Sequence, residues 1–195
     1  MRLLNLFAFA MLLSGVLATT LHSYDITYRG ISMNITFGNG NKADVIAHAQ
    51  RRCDRVLVGP SPINATTRRL KARINTGTKL GTIKTTAGTL VTVGTSIVTT
   101  VYNWFESNWA SHQYLSSTNS WDLSETWDDV ASGVDLEVGV WIFNPYQLST
   151  DTCAQWVKSV VSVAVKTGLN TNAVIYATDG VTKVGNIDAT WYGSD

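Results

Sequence analysis

Val134, Leu136, Val138, Val140 and Ile142 alternate with Asp135, Glu137, Gly139 and Trp141. That period of two predicts a strand with one buried face, ended by Asn144-Pro145. Ser149 then stands where a helix cap is needed. Cys153, Trp156, Val157, Val160, Val161, Ala164 and Val165 follow with the i, i+3, i+4, i+7 spacing of an amphipathic helix. Gly168 is placed as its stop. Ala173 to Ala177 predicts a further strand, and Asp179-Gly180 a hairpin turn into a last strand through Thr190.

The same element order is written near the start. Ile31, Met33, Ile35 and Phe37 alternate with Ser32, Asn34 and Thr36. Gly38-Asn39-Gly40-Asn41 is a turn, and Asn41 can cap a helix bearing Val45, Ile46, Ala49 and Cys53 on one face. Val56-Leu57-Val58 reads as a short strand ended by Gly59-Pro60. Two β-α-β units of this kind predict an α+β fold: a two-layer α/β sandwich, an antiparallel sheet with two helices on one face in split β-α-β units.

The ends of the chain differ in another way. Arg2 is followed by a nearly unbroken apolar run from Leu3 to Leu13, and Val16-Leu17-Ala18 offers small or β-branched residues for cleavage. Residues 1–18 therefore read as a secretory signal peptide, too short for a membrane span, and 19–195 as one secreted domain. The expected destination is extracellular and oxidising. Cys53 and Cys153, an even pair in such a chain, are expected to form a disulfide. Cys53 ends one expected helix and Cys153 begins the other, which suits helices packed antiparallel. Asn34-Ile35-Thr36 and Asn64-Ala65-Thr66 make Asn34 and Asn64 candidate glycosylation sites.

The middle is irregular. No acidic residue occurs from Arg55 to Phe105, and Arg68-Arg69-Leu70-Lys71-Ala72-Arg73 concentrates positive charge in a linker near 60–80. Arg68 and Arg69 form a dibasic pair open to processing proteases, or simply a solvated basic loop. Arg51-Arg52 falls on the expected helix and is less accessible. Residues 85–105 are uncharged and rich in Thr, Gly and Val; Val91, Val98, Val101, Tyr102 and Phe105 can share a helical face. This segment is either membrane-active or, on the favoured reading, a buried helix or Thr-rich strands.

Charge sharpens the contrast between halves. Through Phe105 the chain has 12 basic and 3 acidic residues, and from Glu106 onward 3 basic and 11 acidic. Either one segment binds a charged surface or the halves attract each other within one fold. Aromatic residues crowd 102–129, with Asp122, Glu125, Asp128 and Asp129 among the last of them. Trp109, Trp121 and Trp127 are candidates for stacking on sugars, Trp109 and Trp121 being judged the most exposed from their polar neighbours. They can equally be core.

Recognisable catalytic machinery is sparse. His48 and His112 lack metal-ligand spacing, and no nucleophile-elbow or phosphate-binding glycine motif occurs. No metal or cofactor is expected. Asp135 and Glu137 share a strand face, where paired carboxylates do acid–base work, yet a solvent face carries the same residues. Nucleic acid is not an expected partner, since the basic stretch lies in no nucleic-acid-binding motif.

In layout the chain resembles the secreted killer toxins of yeasts and fungi and their relatives: a signal peptide ending near Ala18, dibasic Arg68-Arg69, an uncharged segment at 85–105, and a small α/β-sandwich pattern with Cys53 and Cys153. The resemblance implies proteolytic maturation and action on the wall or plasma membrane of competing cells. The expectation is thus a non-enzymatic, killer-toxin-like protein, or alternatively an extracellular carbohydrate-binding protein without toxicity. The expected partner is a cell-wall glycan or a target-cell membrane. A hydrolase using Asp135 and Glu137 is the third possibility.

Overall fold

The computed structural model describes residues 20–57, 77–86, 91–109, 119–143, 146 and 148–193. The C-terminal half forms as its pattern requires. Strand β6 (Val134–Phe143) leads to a helix at Thr150–Thr167, capped by Ser149, whose Oγ accepts the Thr152 N–H at 3.1 Å. Gly168 ends that helix in the left-handed region, with φ 67°. A Cβ there would also lie 2.4 Å from the Val91 carbonyl oxygen, so this position requires glycine on two counts. Strands β7 (Asn170–Ala177) and β8 (Lys183–Gly193) follow. β8 lies antiparallel between β6 and β7, which makes this half a split β-α-β unit.

The N-terminal half departs from expectation. Strand β2 (Ile31–Phe37) pairs with β1 (His22–Tyr28), and Asn41 caps α1 (Lys42–Leu57) through its Oδ1, which accepts the Ala43 N–H. Val56 and Leu57 of the anticipated strand are instead the end of α1, because Val56 completes the helix's buried face, and Val58 lies outside the described residues. The parallel partner of β2 is β5 (Ser120–Ala131), far along the chain.

Short strands β3 (Thr78–Leu80) and β4 (Lys84–Thr86) pair with β7. The sheet order is β1-β2-β5-β6-β8-β7-β3, with β4 also on β7. The fold is mixed α/β: one eight-stranded sheet and, among the described residues, three helices, α1, α2 (Ser96–Asn108) and α3 (Thr150–Thr167). The sheet is not purely antiparallel, since β2 and β5 run parallel.

The two anticipated helices lie on opposite faces of the sheet. Leu136, Val138, Val140 and Ile142 of β6 share a core with Val98, Val101, Phe105 and the buried residues of α3. Trp141 and Phe143, pointing the other way, share a second core with Val45, Ala49 and Val56 of α1. A single layer of helices is therefore corrected to helices on both faces. Cys53 belongs to the α1 core and Cys153 to the α3 core, each fully buried and free, so the anticipated disulfide is absent from this arrangement.

The described residues of the uncharged segment reach into two elements, with 87–90 outside the described residues. Thr85 and Thr86 lie in β4, while Val98, Val101 and Phe105 turn the apolar face of α2 into the core. No helix among the described residues is long and apolar enough to cross a membrane. The signal peptide (residues 1–18), Asn64, Arg68 and Arg69 lie outside the described residues.

Candidate functional site

Helical spacing brings His48, Arg52 and Arg55 to successive turns of α1 on the side facing the sheet. Opposite Arg52, β6 carries Gly139, whose neighbours are Ser124 of β5 and Asp188 of β8. Asp122 and Glu137 lie diagonally beside that row on the same face. Gly139 leaves room for the guanidinium, since a Cβ there would be 2.3 Å from Arg52 Cζ.

Arg52 is completely buried and fills its donors with carboxylates. Its Nε and Nη2 donate to the two oxygens of Asp122 at 2.6 and 2.8 Å. Its Nη1 donates to Glu137 Oε1 at 3.0 Å and Asp188 Oδ1 at 2.8 Å. Arg55 Nη1 donates to the other Asp188 oxygen at 2.5 Å. Two cations thus serve three buried carboxylates. Burial opposes the charge on Asp188, but Arg52 and Arg55 outweigh it and hold that carboxyl below its usual range. Burial pushes the Asp122 carboxyl up against the pull of Arg52.

His48 sits at the edge of this cluster, its Nδ1 in contact with Glu137 Oε2 and its ring edge-on to Tyr192. Burial, then the Arg52 and Arg51 guanidiniums, lower its pKa to about 3, so the imidazole is neutral near pH 7. From there an open cleft of about 600 Å³ widens between the start of α1 and the ends of β5, β6 and β8. Asn41, Asp44, His48, Asp128, Asp135 and Tyr192 line it. Its wall is braced at several points. Asp135 Oδ1 accepts the Asp129 N–H at 2.8 Å, and the Tyr192 hydroxyl donates to Thr126 Oγ1 at 3.3 Å. Glu125 Oε1 accepts the Asn39 N–H at 2.6 Å, tying the turn before α1 to β5.

The residues singled out from sequence separate. Asp135 and Glu137 do share a face, but it is not a solvent face: Glu137 is 1% exposed beneath α1, and Asp135, 9% exposed, reaches only the cleft wall. Neither lies on the solvent face of an amphipathic strand. Trp109 and Trp121 are not exposed; they are buried, with ring centroids 4.3 Å apart, and Trp109 Nε1 donates to the Leu148 carbonyl. Trp127 is half-buried, edge-on to Trp104. Asn34 is half-buried on β2, its Nδ2 donating to Ser23 Oγ and Asp25 Oδ1. His112 lies outside the described residues.

Asp188, Asp44 and Tyr192 are marked by no motif, while Arg52 stands out only as half of a dibasic pair and Asp122 only as a carboxylate among aromatics. The signal for the buried cluster is the charge contrast between halves, which resolves here into Arg52 and Arg55 against Asp122, Glu137 and Asp188. Among the described residues no group of three or more His, Cys, Asp or Glu side chains is placed to hold a metal ion. The chain matches no family model, no curated protein and no solved structure. Fold and site geometry therefore carry the functional reading.

Proposed function

We propose that this chain is a secreted, killer-toxin-like protein that acts without catalysis at the surface of target cells, binding envelope saccharide in the acid-lined cleft. The observation that carries this reading is the cleft itself. Asp44, Asp128 and Asp135 offer acceptors for sugar hydroxyls around the Tyr192 ring, and a neutral His48 stands at the base. The scaffold beneath is fixed by the Arg52 cluster, which suits a preformed site. Binding is favoured over hydrolysis because Glu137 is engaged by Arg52 and His48 beneath α1. The apolar face of α2 lies in the core, which favours surface binding over membrane perturbation by that helix.

Asp44 and Asp128 are exposed and can be changed without disturbing the core. The secreted full chain is expected to bind isolated wall polysaccharide and to arrest growth of sensitive strains. An Asp44→Asn/Asp128→Asn variant should lose about tenfold in binding, the worth of one charge-assisted hydrogen bond, and growth arrest should weaken with it. Binding without growth arrest would leave the alternative, a non-toxic extracellular carbohydrate-binding protein. Wild-type protein that neither binds wall polysaccharide nor affects any strain would overturn both.

A further inference from the structure

A second cleft lies on the same sheet face, beyond the other end of α1, and its chemistry is opposite. α1 packs over β8, β6 and β2 and leaves the β7 end of that face open. There Asn172, Val174 and Tyr176 point to the side that α1 occupies, and pairing places cations beside them. Lys84 of β4 is the partner of Asn172, while Lys79 of β3 and Lys183 of β8 flank Tyr176. Paired residues share a face, so lysines from separate strands converge on the same side of β7. Arg55, in the last turn of α1, closes the near wall.

The space they enclose is an open cleft of about 710 Å³, and no carboxylate is among the described residues that line it. Asp179 is a nearby acid, and its oxygens already accept the Val181 and Thr182 N–H groups and the Thr182 hydroxyl. The rim is built. Gly81 N–H donates to the Val174 carbonyl at 2.8 Å, and the Tyr176 ring lies so close that a Cβ on Gly81 would be 2.6 Å from it. Polar Asn172 and the Tyr176 ring complete the lining.

We propose that this cleft binds a saccharide bearing a phosphate monoester. The lysines supply charge-assisted donors to the dianion, with Arg55, paired to Asp188, closing the wall, while Asn172 and Tyr176 meet the sugar. The volume falls within the range of small-molecule sites. The oxyanion specificity stands on this cleft alone; its saccharide carrier rests on the envelope-binding reading given above.

The test measures binding of a hexose 6-phosphate to the full secreted chain. The same hexose without phosphate, inorganic phosphate, phosphoinositide-containing vesicles and a single-stranded oligonucleotide serve as competing probes. The phosphorylated hexose is expected to bind most tightly, and a Lys79→Glu/Lys84→Glu variant to weaken it by about tenfold or more. Lys183→Glu provides a second variant should the first fail to fold, as judged by circular dichroism. The Asp44→Asn/Asp128→Asn variant should bind the phosphorylated hexose normally, which separates failure of this cleft from failure of the acid-lined one. Equal binding of inorganic phosphate, vesicles or oligonucleotide would overturn the saccharide assignment. Affinity unchanged in the lysine variants would overturn the site.

Discussion

Arg52 sits directly over Gly139: a methyl group added to this glycine would lie 2.3 Å from the guanidinium carbon. The missing side chain on β6 makes the pocket into which α1 delivers its buried charge. Asp122, Glu137 and Asp188, from three adjacent strands, then close around it. The helix is thereby keyed to one position on the sheet. A shift by a turn would leave both the cation and the carboxylates buried without partners.

Gly139→Ala is accordingly expected to destabilise the protein by about 1–3 kcal/mol, the cost of overpacking at a site that cannot yield. Arg52→Met should cost more, about 3–5 kcal/mol, because three carboxylates would remain buried without their shared cation. Urea midpoints of the two variants check this. An Arg52→Met protein as stable as wild type would show that the cluster does not hold α1 in place.

His48 gives stability a pH dependence of definite sign. Burial, Arg52 and Arg51 lower its pKa from 6.5 to about 3, so between those values the unfolded chain binds a proton that the native chain does not. Stability therefore rises with pH across this window and is lost on acidification, with a slope approaching about 1.4 kcal/mol per pH unit. Asp188, held below the carboxylate range, adds loss in the same direction at lower pH. Asp122, pushed upward, works oppositely: its contribution is present at low pH and lost as pH rises through its native value. Urea titrations at stepped pH should show the decline, and His48→Gln should flatten it. Superimposable wild-type and variant profiles would remove His48 as the cause.

The split β-α-β unit was legible because each boundary carries its own chemistry: Ser149 as cap, Gly168 as stop and Asp179-Gly180 as turn. The second face of β6 was not. Asp135, Glu137 and Gly139 give the alternation of a strand half in water, and nothing local distinguishes water from a helix that brings an arginine. Strand β5 was obscured similarly, since Asp122, Ser124 and Thr126 are polar yet buried in the centre of the sheet. Without β5 the two halves could be placed only by analogy with each other, which set both helices on one face. Composition had recorded the missing fact as a charge contrast between halves.

The cysteines offer a direct check on helices packed on both faces. Burial pushes the Cys53 thiol up to about 12 and raises Cys153 well above its ordinary range. Both are fully buried, in separate cores. Native protein should therefore react slowly with a thiol reagent, and denatured, unreduced protein should release two thiols. An unreduced denatured chain with no free thiol would show a bond joining Cys53 and Cys153, which this packing does not permit.

The tryptophans distinguish core from binding surface. Trp109 stacks at an angle on Trp121, and its indole N–H is satisfied by the Leu148 carbonyl at 3.0 Å beside the start of α3. Trp109→Ala would open a cavity and remove the indole hydrogen bond to that carbonyl, with an expected loss of about 3–5 kcal/mol. Trp127, half-buried against Trp104, should cost clearly less on the same change. Comparing denaturation midpoints with wall-polysaccharide affinity separates the roles. A stable Trp109→Ala protein that lost only polysaccharide binding would move the saccharide site to the aromatic cluster. The expected result is the reverse: reduced stability, with affinity retained by whatever fraction remains folded.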